Sequence, residues 1–208
     1  MSRRSRKAVS ILCLLAVALL AWLDNSCFHQ PGRSVPAASA QQRRISDIEK
    51  YHDKIFTVAY VVDGDTLDIN IPDSNSNRTR IRLWGVDTPE TKSKEFGVMY
   101  FGPQAYDFTK KTSLGRQVRI YLDQQRDTRD KYDRLLAYVQ LPDGSFLNEN
   151  LLSEGFAYAD LRFRHDFYNK YKQLESAASS NKKGLWKNVT FEQMPKWRQE
   201  RLSQKSSK

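Results

Sequence analysis

The sequence predicts an α+β fold, mainly β: a closed five-stranded barrel with about three packed helices, preceded by an apolar N-terminal segment. Three observations predict it. Between Ile55 and Leu141, short segments alternate apolar and polar residues with the period of two that half-buried strands require. Turns built on Gly, Pro and Asp separate those segments. Runs with apolar residues at helical spacing then follow the third and fifth segments.

The first forty residues stand apart. Arg3, Arg4, Arg6 and Lys7 precede an apolar run from Ala8 to Leu23 that ends at Asp24. That run is shorter than the roughly 20 residues a membrane-crossing helix needs. Ala38-Ser39-Ala40 supplies the small-x-small pattern of a cleavage site. Residues 1–40 are therefore expected to be a signal peptide or an N-terminal membrane anchor with a linker, and the remainder to lie outside the cytoplasm. It is then secreted or periplasmic after cleavage near Ala40, or tethered to the membrane through residues 8–23. Both cysteines, Cys13 and Cys27, precede Ala40, so the chain from Gln41 onward has neither a disulfide nor a thiolate metal site.

Residues 41–54 form a polar lead-in, a tether or a short helix, and 55–187 hold the barrel. Its first strand runs from Ile55 to Val62 and turns at Asp63-Gly64-Asp65; the second is Thr66 to Ile71. After a polar loop from Pro72 to Asn77 comes a third, Thr79 to Val86, with Arg80 and Arg82 facing away from Ile81 and Leu83. Three consecutive strands read as a meander. Gly102-Pro103 opens a helix with Pro in the tolerated first turn. Strands follow at Arg116–Asp123 and Arg134–Leu141, a short helix at Phe146–Glu154 closed by Gly155, and a longer one at Asp166–Lys183. Five strands with a helix between the third and fourth match an oligonucleotide-binding (OB) type of barrel. Residues 188–208, a basic polar tail, are expected to fray.

The chain carries a formal net charge of +10 with a pI near 9.6, 39% hydrophobic and 28% charged residues. That excludes disorder throughout, a collagen, a polytopic membrane protein and a disulfide scaffold. Without residues 1–40 the remainder still holds 29 basic against 23 acidic side chains, +6. A basic excess points to a polyanionic partner, nucleic acid or an anionic membrane surface.

Three clusters carry chemistry: Asp63-Gly64-Asp65-Thr66, Arg82 with Asp87-Thr88-Pro89-Glu90, and Asp130-Lys131-Tyr132-Asp133-Arg134. Singly they read as a hairpin turn, a capped helix start and a solvated ion-pair cluster. Together, a meander brings Asp65 and Asp87 side by side at strand ends, where hard oxygens without Cys or His favour Ca²⁺ over Zn²⁺. The pattern is not an EF-hand, since Arg78 stands where its glycine belongs. Arginines beside such carboxylates suit a phosphodiester: guanidinium forks stabilise charge growing on phosphoryl oxygens while a carboxylate activates water. A glutamate near pH 4.3 in its ordinary titration is ionised at neutral pH and able to do so.

In the order and spacing of these clusters the chain resembles the staphylococcal nuclease, or thermonuclease, family from about Phe56 to Trp186. Tyr100-Phe101-Gly102-Pro103, Leu136-Ala137-Tyr138 and Gly184-Leu185-Trp186 extend the likeness. The resemblance implies an OB barrel and Ca²⁺-dependent cleavage of DNA and RNA at the 5′-oxygen, leaving 3′-phosphates. It implies that Asp65, Asp87 and the Thr88 carbonyl hold Ca²⁺, and that Glu90 is the general base. Arg82 and Arg134 clamp the phosphate, Lys131 and Tyr132 meet the substrate, and Asp63 stands behind the metal ligands. Leu161 and Phe163 occupy positions where the family has tyrosines; Phe163 can stack on a base, and Tyr158 is a candidate substitute. The expected partners are nucleic-acid substrates, with no protein partner, a monomeric state, and membrane contact only through an uncleaved N-terminus. The alternative is a non-catalytic nucleic-acid-binding module on the same fold.

Overall fold

The computed structural model describes residues 37–74, 76–92 and 97–206, so the apolar run expected to be a signal or anchor lies outside the described residues. No helix among the described residues is long and apolar enough to cross a membrane. The order is α1 (Ala37–Tyr51), β1 (Lys54–Asp63), β2 (Thr66–Ile69), β3 (Thr79–Leu83), β4 (Val86–Asp87), α2 (Gly102–Ser113), β5 (Gln117–Tyr121), β6 (Leu135–Gln140), α3 (Leu147–Ser153), β7 (Tyr158–Ala159), α4 (Tyr168–Ser180) and α5 (Lys196–Ser206), with two 3₁₀ turns before α5.

The five longer strands close into a barrel in the order β1-β2-β3-β6-β5. The expected meander is present: β1 and β2 pair antiparallel through Asp63↔Thr66, and β2 and β3 through Thr66↔Arg82. Closure comes from a parallel pairing of β3 with β6, Arg82 opposite Leu136, and from β5 on β1. Alternation is visible in β3, where Thr79, Ile81 and Leu83 are buried while Arg80 and Arg82 face the other way. Val58, Leu67, Ile69, Ile81, Ile120, Leu135 and Val139 fill the barrel with essentially no exposure. The third strand stops at Leu83, earlier than expected, because Trp84-Gly85 turns the chain into β4; β4 then forms a two-stranded ribbon with β7, Asp87 opposite Tyr158.

Gly85 has φ +76, and a Cβ there would lie 2.4 Å from Nε2 of His165, so only glycine permits this turn. His165 is itself buried, with Nδ1 3.2 Å from the Tyr138 hydroxyl and no partner for Nε2. Burial, only partly offset by Asp123 and Asp160, pushes its imidazole down to about 4 from the ordinary 6.5. Between those two values the unfolded chain binds a proton that the folded one refuses, so acid favours unfolding. Stability should therefore fall by on the order of 3 kcal/mol between pH 7 and 4 from this residue. Denaturant midpoints across that range check it, with His165→Gln expected to flatten the slope. An equally steep slope in the variant contradicts the assignment.

Of the two readings of the lead-in, tether or short helix, the structure takes the second: it belongs to helix α1, whose Asp47 is buried against Thr128 and Arg129. One expectation needs correction. The C-terminal tail does not fray; it forms α5, joined by Arg198 to buried Glu175 at 2.7 Å. Helix α1 adds buried Tyr51 and half-buried Ile48 to the core beside its Asp47 ion pair, whereas α5 is attached by polar contacts of Trp197, Arg198 and Arg201. With them the described residues hold five helices.

Candidate active site

Gly64 is what lets the site form. A Cβ at this position would lie 2.7 Å from Oγ1 and 2.9 Å from Cβ of Thr88, so the β1–β2 hairpin tip closes onto Thr88 only because residue 64 has no side chain. That close approach carries Asp63 and Asp65 to the segment following β3. Asp65 Oδ2 accepts from the Thr88 amide at 2.9 Å, and its Oδ1 from the Thr66 hydroxyl at 3.0 Å. Asp63 Oδ1 accepts from its neighbour Gly64 N at 2.8 Å and from the Thr91 hydroxyl at 3.1 Å. No helix begins at Asp87-Thr88-Pro89-Glu90; Asp87 ends β4, and Thr88-Pro89-Glu90 run on as an irregular segment bound to the hairpin tip through the Thr88 amide.

Arg82, paired across the ladder with Thr66, stands between the two aspartates. Its Nη1 lies 2.6 Å from Asp65 Oδ2, an ion pair without hydrogen-bond alignment, and its Nη2 donates to Asp87 Oδ1 at 2.8 Å. The three side chains are only 12%, 7% and 16% exposed, so these charges interact in a partly dry environment where they count for more than on a surface. Arg162 reaches Asp87 Oδ1 at 3.5 Å and is held by two 2.8 Å bonds to Asp160. Trp197 Nε1 donates to Asp87 Oδ2 at 2.9 Å. Three aspartates thus share two guanidinium groups. Burial first, then the charges of Asp65 and Asp160, raise the Asp87 carboxyl above its usual range, although Arg82 and Arg162 oppose the shift.

Glu90 is exposed at the edge of this cluster, yet its carboxyl is not the ordinary glutamate the sequence reading assumed. Desolvation, a hydrogen bond shared with Asp63, and the charges of Asp65, Asp63 and Asp87 push it up to about 7. A carboxylate crowded by three others holds its proton more tightly.

Arg134 lies elsewhere. It is held by Asp130, whose Oδ2 accepts from Nε at 2.7 Å, and no ion pair among the described residues joins it to Asp65, Asp87 or Arg82. It lines a groove of about 470 Å³ with Asp68, Arg80 and Tyr132. Tyr132 is 67% exposed, with the Lys131 ammonium 4.9 Å and the Arg134 guanidinium 5.4 Å from its ring. The groove neighbours the cluster, because Arg80 lines it and stands on the same face of β3 as Arg82, about 7 Å along the strand.

Of the aromatic candidates, Phe163 is 53% exposed and stacks on Trp84 at 6.1 Å, an open platform. Leu161 packs partly into the core. Tyr158 does not stand in for a missing tyrosine: it is 1% exposed in β7, its ring edge-on to Trp186 and under the Arg198 guanidinium. The sequence reading passed over Asp160, Arg162 and Trp197. Arg162 sits between two residues that were singled out, and Trp197 is an isolated indole in a polar run, so spacing alone marked neither.

The oxygens of Asp65 and Asp87 converge on one guanidinium, which shows that both carboxylates face the same cationic position. All donors are oxygens, the set a hard cation takes. Among the described residues no group of three or more His, Cys, Asp or Glu is arranged to hold a metal, so the pair needs a further, uncharged oxygen, and the Thr88 carbonyl is adjacent in sequence.

The closed barrel carries an arginine-bridged aspartate pair at its rim beside a groove lined by both arginines and aspartates, and the proteins it resembles make it a nuclease hydrolase. The sequence model of the family described as "Staphylococcal nuclease homologue" matches residues 80–188, just over half of the chain. The protein is 36% identical over 138 residues to a thermonuclease of Staphylococcus hyicus, covering 66% of this chain and 78% of that protein. It is 39% identical over 132 residues to a thermonuclease of Staphylococcus intermedius, covering 63% and 75% respectively. Against the SPbeta prophage-derived endonuclease YokF of Bacillus subtilis it is 34% identical, with 62% of this chain and 43% of that one covered. The chain belongs to the staphylococcal nuclease family.

Proposed function

We propose that the protein is an exported, Ca²⁺-dependent nuclease that hydrolyses phosphodiester bonds of DNA and RNA at the 5′-oxygen and leaves 3′-phosphates. The observation that carries this reading is the pair Asp65 and Asp87 facing each other across Arg82 on a barrel of this family. The carboxylates of Asp65 and Asp87 and the carbonyl of Thr88 are the groups that would hold Ca²⁺. When bound, Ca²⁺ neutralises charge on the phosphoryl oxygens and makes water more acidic.

The remaining work falls to this chain's own side chains. Glu90 takes a proton from water as the water oxygen bonds to phosphorus. The bond from phosphorus to the 5′-oxygen breaks, and that oxygen leaves as an alcohol by taking a proton from solvent water, while Glu90 returns its own proton to solvent. Asp63, held by the Gly64 amide and the Thr91 hydroxyl, places its charge near Glu90 and strengthens that carboxylate as a proton acceptor. Arg82 holds the equatorial phosphoryl oxygens by its two-pronged donor face, which no ammonium reproduces. Arg134 joins it from the neighbouring groove, where Lys131 and Tyr132 receive the flanking nucleotide, and Phe163 on Trp84 supplies a surface for a base. The apolar segment within residues 1–40 carries the enzyme out of the cytoplasm.

The test is digestion of single-stranded DNA and of RNA with Ca²⁺ and with excess chelator. Cleavage of both that stops on chelation, with 3′-phosphate ends, is the expected result. Undiminished digestion in chelator, or 5′-phosphate products, would falsify the reading.

A further inference from the structure

Helix α5 lies beyond residue 188, where the family match ends, yet one of its side chains touches the centre of the site. Asp87 divides its two oxygens between different neighbours: Oδ1 faces Arg82 at 2.8 Å and Arg162 at 3.5 Å, while Oδ2 accepts from the Trp197 indole N–H at 2.9 Å. An indole nitrogen only donates, so it binds the carboxylate without competing for a cation. Arg162 lies 4.8 Å over the indole ring, joining Trp197 to the same charge network.

The attachments of α5 converge on the ribbon that carries Asp87. Arg198 donates to both oxygens of Glu175, at 2.7 and 3.2 Å, and Glu175 Oε1 accepts from Ala159 N in β7, the partner strand of β4. Arg201 donates to the Leu161 carbonyl at 3.1 Å. A helix docked merely to cover apolar surface has no need of these bonds. Carboxylate ligands are commonly fixed by an outer hydrogen bond of this kind, and losing it weakens metal binding 10- to 100-fold.

We propose that Trp197 is a positioning residue for Asp87: its N–H fixes Oδ2 so that Oδ1 stays turned toward Asp65 and the position of a divalent cation, which makes α5 part of the active centre. The inference rests on the Ca²⁺-dependent reading above. Trp197→Phe keeps a ring under Arg162 and removes only the donor. Calorimetric titration of the purified protein with CaCl₂, without nucleic acid, should show a dissociation constant raised roughly 10-fold or more in this variant. Its thermal midpoint should stay within a few degrees of the parent. Arg201→Ala releases a different part of α5 without touching Asp87 and should retain parental Ca²⁺ affinity. Parental affinity in Trp197→Phe, tighter binding, or equal weakening in both variants overturns the positioning role while leaving the nuclease reading intact. A parent that binds no Ca²⁺ overturns the inference together with the metal assignment.

Discussion

Replacing Glu90 with Gln should leave nucleic-acid binding in place and slow cleavage by roughly 100-fold or more, the usual contribution of a positioned general base. Gln matches Glu in shape and can still hydrogen-bond to Asp63, but its amide accepts no proton at any pH used for an enzyme. Folding should be untouched, because the side chain is exposed and the structural bond at this position, Met99 N to the Glu90 carbonyl at 2.9 Å, is made by the backbone. Single-turnover cleavage and fluorescence anisotropy on the same oligonucleotide separate the two effects. Parental turnover in the variant removes Glu90 from the chemistry.

The second large effect concerns the helix that precedes the barrel. Asp47→Ala should destabilise the protein by about 3 kcal/mol, at the low end for breaking a buried ion pair. Asp47 accepts from Thr128 Oγ1 at 2.7 Å, Arg129 Nε at 2.9 Å and Arg129 Nη2 at 2.6 Å, and the Arg129 and Asp47 side chains are 8% and 7% exposed. Removing Asp47 leaves a buried guanidinium with Asp73 as its single carboxylate partner. The low end applies because that partner remains. Against a typical total of ~5–15 kcal/mol the loss is large. The denaturant midpoint measures it directly, and a change under about 1 kcal/mol would mean that the pair is offset by its desolvation cost. Asp47→Asn, which keeps an acceptor and loses the charge, should fall between. The loop from Arg129 to Arg134 also carries Lys131 and Tyr132, so the Ala variant should bind oligonucleotides more weakly than the parent.

A short helix was one of two readings for residues 41–54, but the buried Asp47–Arg129 pair that anchors it left no sequence signal. Strands β1, β2, β3 and β6 were legible because they bury alternate residues, and burial leaves a periodic trace in Val58, Leu67, Ile81 and Val139. The approach of Asp65 to Asp87 was legible because a meander places consecutive strand ends together. α5 was not, because it is held by polar contacts of Trp197, Arg198 and Arg201, which leave no apolar period. The position of Arg134 was hidden for a similar reason: Asp130 accepts its backbone amide at 3.0 Å and its guanidinium at 2.7 Å, and Asp133 takes a left-handed φ of 68. The elevated proton affinity of Glu90 depends on where three other carboxylates lie, and therefore on the finished fold.

If Asp65, Asp87 and Arg82 form one phosphodiester-binding centre at the end of β3, a crystal structure with Ca²⁺ and a nucleotide bisphosphate should hold the ion within about 2.3–2.6 Å of oxygens from both aspartates, and a phosphate against the Arg82 guanidinium. An ion and phosphate bound away from this pair, with the Asp65–Arg82–Asp87 bridge intact, would contradict it.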